Sequence, residues 1–336
     1  MKHFTRITAF LLAVSLFVLP AYAMEPQEVT DYFTEWSQGL DAIMTQYMEE
    51  HGLNESNFSM GYLYTKTGEY WFFNEEKMMT AGSLYKLPLN MRITEKVAAG
   101  ERSYSDYVYG MPLAAAQQRS VTLSDNEVSH ALQRYLAGFS SGYYYTYRRE
   151  LLPYSGWSEE EIPWQFLSTN SASAEYMLRV LVHLYNEPEL YADIIGYMKD
   201  AYPGSYFRLY EGDYAIAHKY GMTENFLHDA GIVYTPNPFL LVVMTDSVYY
   251  SEHVLGELCQ LMTEYTLSLD AKYEAERQAL IDEAEQQALV AESAEVAASE
   301  LDRTFAQLTV LTETAVQTVS ELAELIAFST LRLCMP

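Results

Sequence analysis

From Ala271 to Met335 the chain contains no Gly, Pro or Trp, and Ala, Glu, Gln and Leu predominate. Helix is the only regular structure open to such a stretch, because nothing in it supplies turn chemistry or breaks an i to i−4 ladder. From Leu280 through Leu301, Phe305 and Leu308 to Leu322 and Ile326, apolar and small residues recur at alternating steps of four and three. That spacing is a heptad seam, Ala-rich at first and stronger later. A long helix that self-associates, a helical hairpin packed on itself and a partly disordered tail all fit residues 269–336.

The rest of the chain is a different material. At 49% hydrophobic residues, the 336-residue protein can hold a fold by its core alone. Cys259 and Cys334 are too few for a disulfide scaffold; they could pair in an oxidising compartment, but their spacing does not demand it. A formal charge of −26 excludes nucleic acid as a partner, since phosphate binding needs a basic footprint. The start, "MKHFTRITAFLLAVSLFVLPAYA", has a basic n-region, an apolar run and an A-x-A ending. It predicts a secretory signal peptide over 1–23, with no Cys after it to accept a lipid, and hence a secreted, extracytoplasmic protein.

Between leader and tail, residues 24–268 read as one α+β domain. Val29 to His51 has helical spacing at Phe33, Trp36, Leu40, Met44 and Met48, and Gly52 closes it. "FSMGYLYTKTGEYWFFNEE" predicts two strands around Thr67-Gly68. The middle is mostly helical, "DYAIAHKYG" and "AGIVYTPNPFLLVVMTD" return to strands, and a helix begins near Ser251. This order predicts an antiparallel sheet flanked by helices, shared by N- and C-terminal segments, with a helical region inserted between them.

The chemistry concentrates in three places. In "MTAGSLYKLPLN", Ser83 and Lys86 stand at i and i+3, so on a helix they share a face. At a helix start the Ser83 N–H lacks an intrahelical acceptor and can face a developing oxyanion. A Lys drawn into an apolar site loses proton affinity, and a neutral Lys can take the proton of a serine nucleophile. Further on, "LSDNEVSHAL" carries Ser124-Asp125-Asn126, and "YAIAHKYGM" carries Lys219-Tyr220-Gly221 at the end of an apolar strand. His228-Asp229 reads as turn chemistry, since no third ligand falls at metal spacing.

S-x-x-K, S-D-N and K-[ST]-G in that order resemble the signature of the penicillin-recognising serine enzymes, class A β-lactamases and penicillin-binding proteins. The resemblance covers about residues 30 to 265 and implies a β-lactamase/transpeptidase-like fold that needs no cofactor or metal. It implies Ser83 as the acylated nucleophile and Lys86 as its base or proton relay. Ser124 would pass a proton to the leaving nitrogen, aided by Lys219, whose charge would also orient a substrate carboxylate. Asn126 would bind the substrate amide, Ser83 and Met222 N–H groups would form the oxyanion hole, and Gly221 would let substrate approach the strand. The pattern departs at Tyr220, whose hydroxyl reaches well beyond that of Ser or Thr. It departs again where class A enzymes hold a deacylating Glu followed four residues later by Asn. Here Glu161 with Gln165 has the spacing, yet Glu159, Glu160 and Glu161 also suit a solvated turn capped by Ser158. Three functions follow: β-lactam hydrolysis, acyl transfer on a cell-wall D-amino-acid peptide, or a non-catalytic scaffold whose tail binds a partner.

Overall fold

The computed structural model describes residues 33–210 and 212–333. The expected leader and Cys334 lie outside the described residues. Two compact units divide at Asp270 and Ala271. The first contains, in chain order, β1 (Glu35–Trp36), α1 (Gly39–His51), β2 (Phe58–Tyr64), β3 (Glu69–Phe73), β4 (Met79–Thr80) and α2 (Lys86–Ala98). There follow β5 (Tyr107–Val108), β6 (Met111–Pro112), α3 (Leu113–Thr122), α4 (Asn126–Ala137), α5 (Tyr143–Glu150), α6 (Trp164–Ser168), β7 (Ser171–Ala172), α7 (Ala174–Asn186) and α8 (Ala192–Lys199). The unit closes with β8 (Ile216–Met222), β9 (Phe226–Val233), β10 (Phe239–Asp246) and the beginning of α9 (Ser251–Leu333).

The main sheet has six strands in the order β1-β3-β2-β10-β9-β8. Its central strands are buried on both faces, as a sheet covered by helices on each side requires. Alternation along β2 sends Tyr62, whose hydroxyl bonds Thr266 of α9 at 2.8 Å, to one side. Gly61 and Leu63 face the other, where a Cβ on Gly61 would stand 3.3 Å from Leu178 of α7. Pro236-Asn237-Pro238 separates β9 from β10, and the two strands pair antiparallel from Phe239 against Val233 to Asp246 against Phe226.

Three expectations are corrected. Among the described residues, the helix predicted over Val29–His51 begins only at Gly39, and β1 makes the sheet mixed, since it runs parallel to β3. The reason is competition for the open edge of β3: Thr34 N–H bonds Gly68 O at 3.1 Å and Ser37 N–H bonds Tyr70 O at 2.7 Å. Trp36 adds an edge contact with the Tyr70 ring at 5.6 Å, so its helical spacing with Leu40 reflects packing on the sheet. His228-Asp229 also lies inside β9, fully buried, and not in a turn.

In the second unit, residues 271–333 continue helically, which excludes the hairpin reading. Its seam residues Leu301, Phe305, Leu308 and Leu322 are all exposed. Among the described residues, no helix is long and apolar enough to cross a membrane.

Candidate active site

Ser83 lies on a short 3₁₀ turn, Gly82–Tyr85, which leads directly into α2. Two glycines press this turn against the end of β8. Gly82 has φ +55°, and a Cβ there would stand 2.6 Å from Met222 N. A Cβ on Gly221 would stand 2.2 Å from Ala81 O. No side chain fits at either position, so the backbone of Gly82-Ser83 lies against that of Gly221-Met222. The room Gly221 makes is taken by the chain itself. Behind the turn, Ala81 N–H donates to Asn170 O at 2.8 Å and Asn170 Nδ2 to Gly82 O at 2.7 Å. His228 Nε2 holds Thr80 O at 2.9 Å.

Lys86 opens α2 with no exposed surface. Its Nζ donates to Ser124 O at 2.5 Å, Asn126 Oδ1 at 2.7 Å and Ser124 Oγ at 3.2 Å. Burial pulls its pKa down from 10.5 to about 8, against the opposing pull of the Asp125 charge. Ser124, at φ +55°, sits in the short loop between α3 and α4. Asp125 holds that loop by capping α4: its carboxylate accepts from Val128 N–H at 3.1 Å and from Arg119 Nε at 2.7 Å. From the third segment, Lys219 of β8 reaches Ser124 Oγ at 3.0 Å and Tyr220 O at 2.9 Å. Lys219 is fully buried, and burial followed by the nearby Lys86 charge holds its pKa well below the ordinary lysine value.

One serine hydroxyl therefore lies between two buried amines, each poorly able to keep its proton. Such an arrangement can pass a proton from one amine to the other through the hydroxyl. Ser83 Oγ, half-buried, makes no hydrogen bond among the described residues. Asn126, the first residue of α4, is exposed, and Met222 is 57% exposed beside the Gly82–Tyr85 turn.

A buried polar network fixes α2 against α3 and α4. Asn90 Nδ2 donates to Lys86 O at 2.7 Å and Ser120 Oγ at 3.0 Å. Ser120 Oγ meets Ser129 Oγ at 2.8 Å, and Ser129 Oγ donates to Asp125 O at 2.5 Å. These links tie the backbone of Lys86 to that of the Ser124-Asp125 loop.

The loop carboxylates do not join this cluster. Glu159, Glu160 and Glu161 are exposed. Glu159 pairs with Arg149 at 2.6 Å, and Glu161 accepts from Ser158 N–H at 3.0 Å, which lowers its pKa. A turn closed between Ser158 and Glu161 is thus observed, with the Glu161 carboxylate and not the Ser158 hydroxyl bonding the backbone N–H. Residues missed from sequence are Asn170 and His228, which hold the nucleophile turn, and Tyr202 and Tyr206, which flank Tyr220. Tyr206 stacks on the Tyr220 ring at 4.5 Å, and Tyr202 meets its edge at 4.7 Å. The one sequence signal toward these tyrosines is the chain's content of 30 Tyr.

Residues 111–266 match the model of the beta-lactamase enzyme family; the match takes in Ser124, Asn126 and Lys219 but begins after Ser83 and Lys86. No curated protein matches the chain. Among solved structures, the β-lactamase from Chitinophaga pinensis DSM 2588 shares 17% identity at a TM-score of 0.56, over 68% of this chain and 99% of that one. A reconstructed class A β-lactamase of the last common ancestor of Gram-negative bacteria shares 16% identity at 0.56, over 68% and 99%. PBP-A shares 14% identity at 0.57, over 70% and 98%, and a mutant of it is described as an acyl-enzyme complex with penicillin G. The shared fold, the family match over residues 111–266 and the three motifs in order are consistent with the penicillin-recognising serine enzyme superfamily.

Proposed function

We propose that the protein is a serine hydrolase acylated at Ser83, with β-lactam ring opening as its leading reaction. The observation that carries this reading is Ser124 Oγ held 3.0 Å from Lys219 Nζ and 3.2 Å from the Nζ of Lys86, which itself stands one turn of chain after Ser83. In the reaction, Ser83 Oγ adds to the carbonyl carbon while neutral Lys86 takes its proton. The oxyanion is met by the N–H groups of Ser83 and Met222. As the C–N bond breaks, the nitrogen takes the Ser124 proton, and Ser124 recovers one from Lys86 or Lys219. In a β-lactam the leaving nitrogen stays tethered, so the adduct carries the whole mass of the drug.

Deacylation needs a base for water, but Glu159 is paired with Arg149, Glu161 serves the Ser158 turn, and Glu160 is exposed. This favours a second reading, in which the acyl-enzyme is long-lived and its natural course is acyl transfer on a cell-wall peptide. The leader supports an extracytoplasmic location, where both substrates occur. Intact-mass spectrometry of the wild type and Ser83→Ala with penicillin G and with a fluorophosphonate tests the proposal. One adduct per wild-type chain, lost in Ser83→Ala, is expected; labelling that survives the substitution would sink it.

A further inference from the structure

Lys219 is the residue that would meet a substrate carboxylate, yet its ammonium has no free side. One N–H goes to Ser124 Oγ at 3.0 Å and one to Tyr220 O at 2.9 Å. The third direction is covered by the Tyr220 ring, whose centroid lies 4.2 Å from Nζ. An ammonium has three donors, and here two hydrogen bonds and a π face use them. Lys86 is equally committed, with its three acceptors named above and no exposed surface. Neither cation of the cluster is left to receive an anion, and the formal charge of −26 repels one further.

The ring over Lys219 is fixed there. Tyr206 stacks on Tyr220 with 11° between planes, and Tyr202 packs edge-on at 68°. Both flanking tyrosines have left-handed backbones, φ +36° at Tyr202 and +57° at Tyr206, a conformation that costs free energy in a bulky residue. The buried His218–Asp229 pair holds that segment at both ends. His218 Nε2 lies 3.0 Å from Ala201 O, its Nδ1 lies 2.7 Å from Asp229 Oδ2, and the same Oδ2 accepts from Phe207 N–H at 3.0 Å. Tyr202 OH also donates to Leu123 O at 3.3 Å, beside Ser124. His218 and Asp229 thus keep the two strained tyrosines against Tyr220.

From this geometry we infer that Tyr220, backed by Tyr202 and Tyr206, replaces an anion subsite with a neutral aromatic wall, so that the enzyme selects acyl donors lacking a carboxylate next to the scissile bond. The class is that of esters, thioesters, amidated peptides and β-lactams whose carboxylate is esterified, with an apolar or planar group against the tyrosines. Lys219 is then a proton carrier for Ser124 and not an anchor for charge. The inference rests on acylation at Ser83 and names the substrate class for that site.

The test compares single-turnover acylation of the full chain by penicillin G and by its methyl ester, followed by intact mass. These two compounds differ only in the carboxylate. The wild type should be acylated at least about tenfold faster by the ester, since an unpaired anion against a neutral wall is a strong discriminator. Tyr220→Thr should cut that preference by about tenfold or more, whereas Tyr220→Phe should keep it. Faster acylation of the wild type by the free acid would overturn the aromatic-wall reading while leaving acylation at Ser83 standing. If neither compound nor a fluorophosphonate modifies Ser83, the acyl-enzyme reading itself fails, and the inference with it.

Discussion

Replacing Lys86 by Met removes a buried ammonium while nearly preserving side-chain volume, and its effect on stability is calculable. The unfolded chain keeps this proton up to about 10.5, the folded chain only to about 8. Between those values the unfolded state binds more protons, so stability rises with pH across the window. At 1.36 kcal/mol per unit, the buried charge costs about 3 kcal/mol at pH 7 and about 1.4 kcal/mol at pH 9.5. Lys86→Met lacks this dependence; the hydrogen bonds it forfeits to Ser124 O and Asn126 Oδ1 shift its stability almost equally at every pH. Losing the Lys86 charge also lets Lys219 keep its proton more easily, which widens the contrast in the same direction. Urea unfolding followed by tryptophan fluorescence reports on the catalytic unit alone, because all four tryptophans precede Ala271. The wild type should gain about 2 kcal/mol on the variant between pH 7 and 9.5. Its acylation rate should climb with pH and level off near 8, while the variant acylates at least about 10²-fold more slowly. A gap between the two proteins that stays constant with pH would refute the depressed lysine, and with it the argument for Lys86 as base.

Gly221→Ala drives a Cβ into Ala81 O, so it should cost about 1–3 kcal/mol in a thermal or urea melt and slow acylation of Ser83 by more than the melt explains. Glu161→Gln should leave the lifetime of the penicillin adduct within about twofold of wild type, since its carboxylate serves the Ser158 turn; a trapped adduct only in the variant would identify Glu161 as the deacylating base, by removing the 10² to 10⁴-fold typical of such catalysis. Truncation after Asp270 should preserve labelling of Ser83 and reduce an oligomeric mass in light scattering to that of a monomer, because the exposed seam of Leu301, Phe305, Leu308 and Leu322 has the spacing of a coiled coil. Equal monomeric behaviour of both chains would refute self-association.

Much of this protein is legible before folding. Helix was forced on residues 271–333 by composition, and strands β2, β3, β9 and β10 by apolar runs bounded by turn chemistry. Ser83, Lys86, Ser124, Asn126 and Lys219 were named from local motifs, since each motif needs only its own few neighbours to be recognised. What those neighbours cannot carry is the partner from elsewhere in the chain. Trp36 has helical spacing, and only the open edge of β3 turns it into a strand. Gly221 reads as room for substrate, and only the approach of Ala81 shows what fills that room. Three adjacent glutamates keep the spacing of a catalytic loop, but Arg149 and the Ser158 turn claim two of them. Tyr220 reads as a defect in a motif until Tyr202 and Tyr206, from a segment strained into left-handed turns, stack around it and cover Lys219. Local pattern determines which residue types are present at a site. Packing between distant segments decides which of their donors remain free, because a buried ammonium has three hydrogens and the tertiary fold assigns each of them.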